Sequence, residues 1–248
     1  TAPEAKEELK KITHAKEVLT NENNKRLYDE KQIEPTITGR VLGTTLYLAI
    51  SKISPSTLQE FGVILESTNA NPTLDSLVLD FRGNIGGSLD FLLYFLGLFI
   101  GQNQYAFDLF HQGDYQVQRT TLVKYAPLTR YKEIAILVDS MSQSTAELTA
   151  ATFKKFNLAH IVGETTRGWG TVENTYPLLT VIDPNEKYSL LLVNSITLRD
   201  DNLPIEGRGV DPDINIKDKN WKTLLPNFFR NESLIKAISK DVANGPLR

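Results

Sequence analysis

Three serines precede a glutamate in the segment from Asp139 to Glu147, DSMSQSTAE. The apolar run Ile134 to Val138 comes directly before it and predicts a buried strand, and a helix is predicted from Thr145 to Phe156. A serine at a strand-to-helix junction can present its hydroxyl at the carboxyl edge of a sheet, where sites of α/β proteins form. The segment therefore permits a serine nucleophile. The alternative is that the serines only cap the helix and build the turn.

A glycine-rich segment, Asp80 to Ser88 (DFRGNIGGS), occupies a second strand-to-helix junction. The strand is predicted at Leu77 to Phe81 and an apolar helix from about Leu89. Backbone N–H groups at Gly86 and Gly87 can face outward without obstruction, and the helix N-terminus adds positive potential, so an oxyanion can bind there. The alternative is that these glycines serve only tight strand-to-helix packing.

Two further glycine-rich turns follow. They are Val162 to Val172 (VGETTRGWGTV) and Ile205 to Ile214 (IEGRGVDPDI). Each is flanked by strand-like residues and, taken alone, predicts a hairpin or crossover loop.

Together and in order, the four segments resemble the tail-specific, or C-terminal processing, serine peptidases. That family's pattern runs D-x-R-x-N-x-G-G, S-x-S-x-S-E, G-E-x-T-x-G-K-G and G-x-G-hydrophobic-x-P-D, and the match spans Arg40 to about Ile216. The resemblance implies a crotonase- and Clp-like α/β core. It also implies a serine endopeptidase that cuts near the carboxyl ends of protein substrates.

The resemblance assigns roles to individual residues. The serine three positions before the motif glutamate, Glu147, is the nucleophile, which places it at Ser144. The oxyanion hole is implied to use the backbone N–H of Gly86 or Gly87 and that of Thr145.

The position that the resemblance gives to the general-base lysine holds Trp169 here, between two glycines. An indole N–H is a donor with no basic lone pair, so it cannot accept the serine proton. The glutamine that accompanies the lysine in many members is Glu173. A related branch, similar to the tricorn core, uses a histidine and a late carboxylate. Glu206 suits that carboxylate, but the strand Leu46 to Ser51 carries no histidine.

Other candidate bases are few. We expect each of the three histidines to be structural or solvated: His14, His111 and His160. His111 is the strongest substitute among them, because histidine is the usual base where lysine is absent. Lys154 and Lys155 follow Ser144 on the same predicted helix by about three turns, which is too far for contact along it.

Two hypotheses of function result. In the first, the chain is a serine peptidase that uses Ser144 with an unorthodox base. In the second, it is a catalytically silent relative that binds peptides or acts as a scaffold, as Trp169 suggests. A substitution introduced at position 169 is a third interpretation that fits the sequence.

The elements that must position these residues repeat as strand, turn and helix, which predicts an α/β fold. We predict a helical N-terminal extension over 1–38, a peptidase-like core over 39–217 and a C-terminal helical segment over 218–248. The stretch Val41 to Ile50 is predicted as one strand, and a helix from Ser54 to about Ser67 with Ser54 as N-cap. About ten residues separate the extension from the first strand, too few for a PDZ module.

Composition limits the partners. With a net charge of −3, nothing in the composition suggests electrostatic capture of nucleic acid or of an anionic membrane. The absence of cysteine excludes disulfides, thiolate metal sites and a cysteine nucleophile, and the motifs call for no cofactor and no metal. The most apolar run, Phe91 to Ile100, is about half of what a membrane span needs. A protein or peptide substrate is expected, no oligomeric state is indicated, and the resemblance implies an extracytoplasmic location.

Overall fold

The structure is a computed structural model and describes residues 35–179 and 186–243. Most of the helical extension predicted over 1–38 lies outside the described residues, as do 244–248. The division into extension, core and C-terminal segment stays a prediction.

Within the described residues, ten strands form two sheets. Their bounds are β1 Ile37–Leu42, β2 Thr45–Ile50, β3 Ser76–Asp80, β4 Tyr105–His111, β5 Asp114–Arg119, β6 Glu133–Val138, β7 His160–Gly163, β8 Thr171–Pro177, β9 Ser189–Thr197 and β10 Ile214–Asn215. The larger sheet has the order β1-β2-β3-β6-β7-β10 and is parallel except for β1. Every residue of β2 and β3 is buried, as expected for central strands covered on both faces.

The stretch predicted as one strand from Val41 to Ile50 is two antiparallel strands, so that prediction was wrong. Leu42 pairs with Thr45, and the two residues between them form the hairpin loop. Gly43 supplies the positive φ of +60° that such a loop needs at its first position.

Helices cover both faces of the larger sheet. Their bounds are α1 Thr57–Thr68, α2 Leu89–Ile100, α3 Thr145–Lys155, α4 Trp221–Phe228 and α5 Glu232–Ala243. Alternate β2 residues divide between two cores: Leu46 and Leu48 pack with α1, α2 and α3, whereas Tyr47 packs with α4 and α5. This arrangement confirms the predicted α/β class.

Helix α1 begins later than predicted. Its N-cap is Ser56, not Ser54, because Ser54 belongs to the turn before the helix. There the Ser54 N–H donates to Thr57 Oγ1 at 2.8 Å and the Ser54 carbonyl accepts from the Thr57 N–H.

The smaller sheet is antiparallel, with the order β5-β4-β9-β8. Strand β9 pairs with β4 only near its end, at Ile196 and Thr197, but pairs with β8 along nearly its whole length. The outer part of β8 and β9 is therefore a two-stranded ribbon.

The apolar run Phe91 to Ile100 lies in α2 and packs in the core, where the Phe95 ring contacts the rings of Phe61 and Phe153. Within 35–179 and 186–243, no helix combines the length and the apolar character that a membrane span requires.

Candidate active site

Ser144 lies where β6 leads into α3, with φ 57° and ψ −126°. A positive φ is uncommon for a residue with a side chain, and such strained turns cluster at functional sites. A sharp strand-to-helix turn of this kind exposes the serine hydroxyl at the edge of the sheet. Thr145 begins α3, so its N–H belongs to the first turn, whose amides have no acceptor within the helix.

Side chains within the turn stabilise it. One carboxylate oxygen of Asp139 accepts the N–H groups of Met141 at 3.0 Å, Ser142 at 2.9 Å and Gly83 at 2.9 Å. The buried Ser142 hydroxyl donates to the Phe81 carbonyl at 2.8 Å. The serine turn and the glycine segment after β3 are thus bonded together.

Asn84 gives the two glycines different roles. Its Nδ2 donates to the Ile50 carbonyl at 2.7 Å, and its Oδ1 accepts the Gly86 N–H at 2.7 Å. The Gly86 N–H is therefore already bonded. The Gly87 N–H has no acceptor among the described residues, which makes it the better placed of the two for an oxyanion.

The glycine segment lies against the start of α3. A Cβ on Gly86 would lie 2.7 Å from Ser144 Cβ and 3.0 Å from the Thr145 nitrogen, so only glycine fits there. The Thr145 hydroxyl donates to the Gly87 carbonyl at 2.7 Å. These contacts bring the predicted nucleophile and the predicted oxyanion donors together.

The fully buried Glu147 carboxylate joins the serine turn to the Trp169 loop. Its Oε1 accepts the Thr166 hydroxyl at 2.5 Å and the Gly168 N–H at 2.6 Å. Its Oε2 accepts the N–H groups of Ser144 and Trp169, both at 2.8 Å. We call these five residues the Glu147 cluster. It fixes the backbone positions of Ser144 and Trp169 relative to one another.

The Trp169 side chain points away from that cluster and is 46% exposed. Its indole N–H donates to Glu173 Oε1 at 3.3 Å, and the Thr171 hydroxyl donates to the same oxygen. Glu206 accepts the Gly170 N–H at 2.8 Å and thereby stabilises the loop backbone.

A cleft of about 320 Å³ opens beside the serine. Ser144, Gly87, Trp169 and Glu173 line it, together with apolar side chains from Leu89 and Val172. Glu206 does not line it. Four of the predicted site residues therefore share one cleft.

None of the described lysine and histidine side chains forms a hydrogen bond with Ser144. The ring of His111 is bonded to the Asn194 carbonyl in the smaller sheet. His160 packs against two phenylalanine rings and lies 3.9 Å from Asp213. His14 lies outside the described residues.

The two lysines of α3 also bond elsewhere. Lys154 Nζ donates to the Asp211 carbonyl at 2.9 Å, and Lys155 Nζ donates to Asn202 at 3.0 Å. Within the described part of the chain, no group of three or more histidine and carboxylate side chains could hold a metal ion.

Comparison with known proteins identifies the family of this chain. The model of peptidase family S41 matches residues 44–216, most of the chain. The chain belongs to peptidase family S41. The resemblance found in the sequence is confirmed.

Two curated relatives illustrate the likeness. The carboxy-terminal processing protease CtpB of Bacillus subtilis is 25% identical over 210 residues, which cover 84% of this chain and 41% of that protein. A probable CtpA-like serine protease of Staphylococcus aureus is 30% identical over 159 residues, 62% of this chain and 30% of that protein. The chain thus spans less than half the length of either relative.

Solved structures confirm the fold. A lipoprotein from Streptococcus agalactiae superposes with a TM-score of 0.59 at 19% identity, covering 81% of this chain and 71% of that one. The photosystem II D1 C-terminal processing protease gives a TM-score of 0.55 at 18% identity, covering 75% and 49%.

Sequence reasoning gave no role to the aspartate and arginine of the D-x-R motif in this S41 domain. Buried Asp80 accepts the Tyr47 hydroxyl at 2.5 Å and two guanidinium nitrogens of Arg82 at 2.7 and 2.9 Å. Arg82 also donates to the Asp241 carbonyl of α5 at 3.2 Å. Burial and the Asp80 charge raise the pKa of Tyr47. Through Arg82, this ion pair connects the base of the glycine segment to α5 on the far face of the sheet.

Proposed function

We propose that this S41 domain is a serine peptidase that acts on polypeptide chains with Ser144 as nucleophile. The observation that carries the proposal is the strained Ser144 turn, which lines the cleft together with Gly87, whose N–H has no acceptor among the described residues. A turn of this shape would be costly to keep for helix capping alone.

In the proposed reaction, Ser144 Oγ attacks the peptide carbonyl carbon, and the bond to the leaving amine breaks as an acyl-enzyme forms. The N–H groups of Gly87 and Thr145 stabilise the developing oxyanion. Water then releases the acyl group. The serine proton must reach the leaving amine, and a positioned base for that transfer contributes typically about 10²–10⁴-fold in rate. Because no described lysine or histidine reaches Ser144, we expect slow turnover.

The substrate class and location are also proposals. The printed names of the relatives describe carboxy-terminal processing, which supports a protein substrate cut near its carboxyl end. We infer an extracytoplasmic location from the family resemblance alone. The segments 1–38 and 218–248, which are predicted to flank a 39–217 core, are proposed as accessory to it.

A second candidate is a silent S41 domain that binds peptides without cutting them. Trp169 favours it, because its indole donates to Glu173 and offers Ser144 no basic atom. The free edge of β8 runs from the cleft and offers a backbone on which an extended peptide can add a strand.

A serine-directed fluorophosphonate probe separates the two candidates. Peptidase activity predicts covalent labelling of the parent chain and none of Ser144→Ala, with slow cleavage of unstructured peptides by the parent only. The matched control is Ser140→Ala, which removes another serine of the same turn. This variant should still be labelled at Ser144. Peptide binding by the parent without labelling or cleavage would overturn the peptidase proposal and support the silent one.

A further inference from the structure

The outer ribbon of β8 and β9 exposes an unusual number of large apolar side chains. Eight of them are between 37% and 94% exposed: Tyr176, Leu178, Leu179, Tyr188, Leu190, Leu191, Leu192 and Val193. Four of these are consecutive, so both faces of the ribbon are apolar. Soluble monomers seldom leave contiguous apolar surface of this extent, and it usually marks an interaction site.

Strand pairing sorts the exposed side chains by face. Leu190 lies opposite Tyr176, and the Leu178 N–H donates to the Tyr188 carbonyl at 2.9 Å. Since alternate residues share a face, five side chains form one surface, which we call the tyrosine face: Tyr176, Leu178, Tyr188, Leu190 and Leu192. Leu191 and Val193 lie on the opposite face.

Among the described residues, the side chains of the tyrosine face stay 37–49% exposed. Strand β9 pairs with β4 only at Ile196 and Thr197, so the outer ribbon has no third strand beside β9 in the described part of the chain. A two-stranded ribbon is at best marginally stable in water unless another surface packs against it. We therefore expect another surface to pack against the tyrosine face.

Charge favours a second copy of this chain as that occupant. No charged residue stands between Asn174 and Leu179 or between Tyr188 and Ser195, so the face can meet itself without like-charge repulsion. A membrane surface would favour several basic residues at the ribbon. Its described residues carry only Lys187, next to Glu186.

The area is also sufficient. With roughly 150–250 Å² for each large side chain, the exposed fractions of the five side chains of the tyrosine face amount to roughly 330–550 Å². About 56–65% of an interface is apolar, so this matches the apolar part of the roughly 800 Å² that each partner contributes to a stable interface. We propose that the tyrosine face packs against the same face of a second copy about a two-fold axis. This inference is independent of peptidase activity.

Sedimentation of the whole chain tests the proposal directly. The parent should sediment at about twice the chain mass at micromolar concentrations, and Leu190→Glu/Leu192→Glu as a monomer. Val63→Glu, at an exposed apolar side chain of α1, is the matched control and should stay dimeric. Circular dichroism and thermal unfolding establish that each variant is folded. A monomeric parent, or a dimer that survives the double substitution, would overturn the proposal.

The absence of cysteine in the chain permits a second test that does not depend on weakening the fold. Leu190→Cys should be linked to a second copy by a bis-maleimide, whereas Leu191→Cys, on the opposite face, should be linked far less. Equal linking of the two variants would contradict the proposed face. Vesicles of phosphatidylcholine and phosphatidylglycerol should not bind the parent; binding of a monomeric parent through Leu190 and Leu192 would replace the dimer by a membrane surface.

Discussion

At the scale of single residues, the backbone and the side chain of Trp169 make different contacts. The Trp169 N–H donates to the same Glu147 oxygen that accepts the Ser144 N–H, at 2.8 Å in each case. The indole instead donates to Glu173 at the wall of the cleft. The loop backbone is therefore held by contacts that any residue at 169 except proline would leave in place, and a substitution there changes only the side chain at the cleft.

Replacing Trp169 by lysine supplies an amine at the position that the family resemblance assigns to the base. We expect Trp169→Lys to raise kcat/KM on an unstructured fluorogenic peptide by about 100- to 10,000-fold, the usual contribution of a positioned base. Trp169→Phe is the control and should not raise it. Equal activity of the lysine and phenylalanine variants would show that the missing base is not what limits turnover.

Glu147 is predicted to be far less tolerant than Trp169. In Glu147→Gln the amide nitrogen faces N–H donors that previously met a carboxylate oxygen. Each buried donor that loses its acceptor costs about 1–3 kcal/mol, so the free energy of unfolding should fall by at least that amount. Urea unfolding measures it. Glu232→Gln, at an exposed residue of α5, should change stability by less than about 0.5 kcal/mol. A similar small effect at both positions would contradict the structural role of the cluster.

At the scale of elements, the site forms at the carboxyl ends of neighbouring parallel strands in the larger sheet. Three chain segments leave the strands there. The glycine segment follows β3, the serine turn follows β6, and the Trp169 loop follows β7. Because β3, β6 and β7 are adjacent, their carboxyl ends deliver these segments to one place. Close backbone contact at Gly86 completes the arrangement.

Two Gly→Ala substitutions should change stability in opposite directions. Gly86→Ala places a Cβ 2.7 Å from Ser144 Cβ at φ +89°, so we expect a loss of about 1–3 kcal/mol and weaker probe labelling. Gly62→Ala, in α1 with no atom within 4 Å of the added Cβ, should stabilise by about 0.5–1 kcal/mol. Chemical unfolding measures both. If Gly86→Ala were also stabilising, the contact with Ser144 would be wrong.

The sequence predicts an element well when its apolar run fits only one strand or one helix. β3, β6 and α3 are predicted to within about two residues, because each run is continuous and bounded by turn residues. The hairpin inside Val41 to Ile50 was missed because apolar residues continue on both sides of Gly43. The site residues could be nominated from motifs, but the carboxylate that joins them could not. The Ser-x-x-Glu spacing from Ser144 to Glu147 predicts a capping box and says nothing of the Trp169 loop.

At the scale of the whole molecule, hydrogen bonds between buried polar groups connect the larger sheet to a helix that packs on it. Tyr47, Asp80 and Arg82 connect the central strands to α5 across the sheet. In the smaller sheet, the Tyr105 hydroxyl donates to Asp108 of the same strand at 2.9 Å. Burial and that carboxylate raise the pKa of Tyr105 to about 12.

Stability should therefore fall at alkaline pH. A tyrosine whose pKa is raised by folding contributes fully below its unfolded value of about 10, and the contribution is lost as pH rises toward 12. Tyr105→Phe removes that group, so the stability difference between parent and variant should shrink between pH 10 and 12. Urea unfolding at a series of pH values measures it. A difference that stays constant over that range would contradict the assignment.

The Glu147 cluster also bears on how this S41 domain can change by mutation. Its bonds to residue 169 use only an amide that every amino acid except proline possesses. A codon change at that position can therefore replace the side chain at the cleft while these bonds of the cluster stay in place. A single codon change to lysine would act on a fold in which the Glu147 cluster already holds the backbone of residue 169.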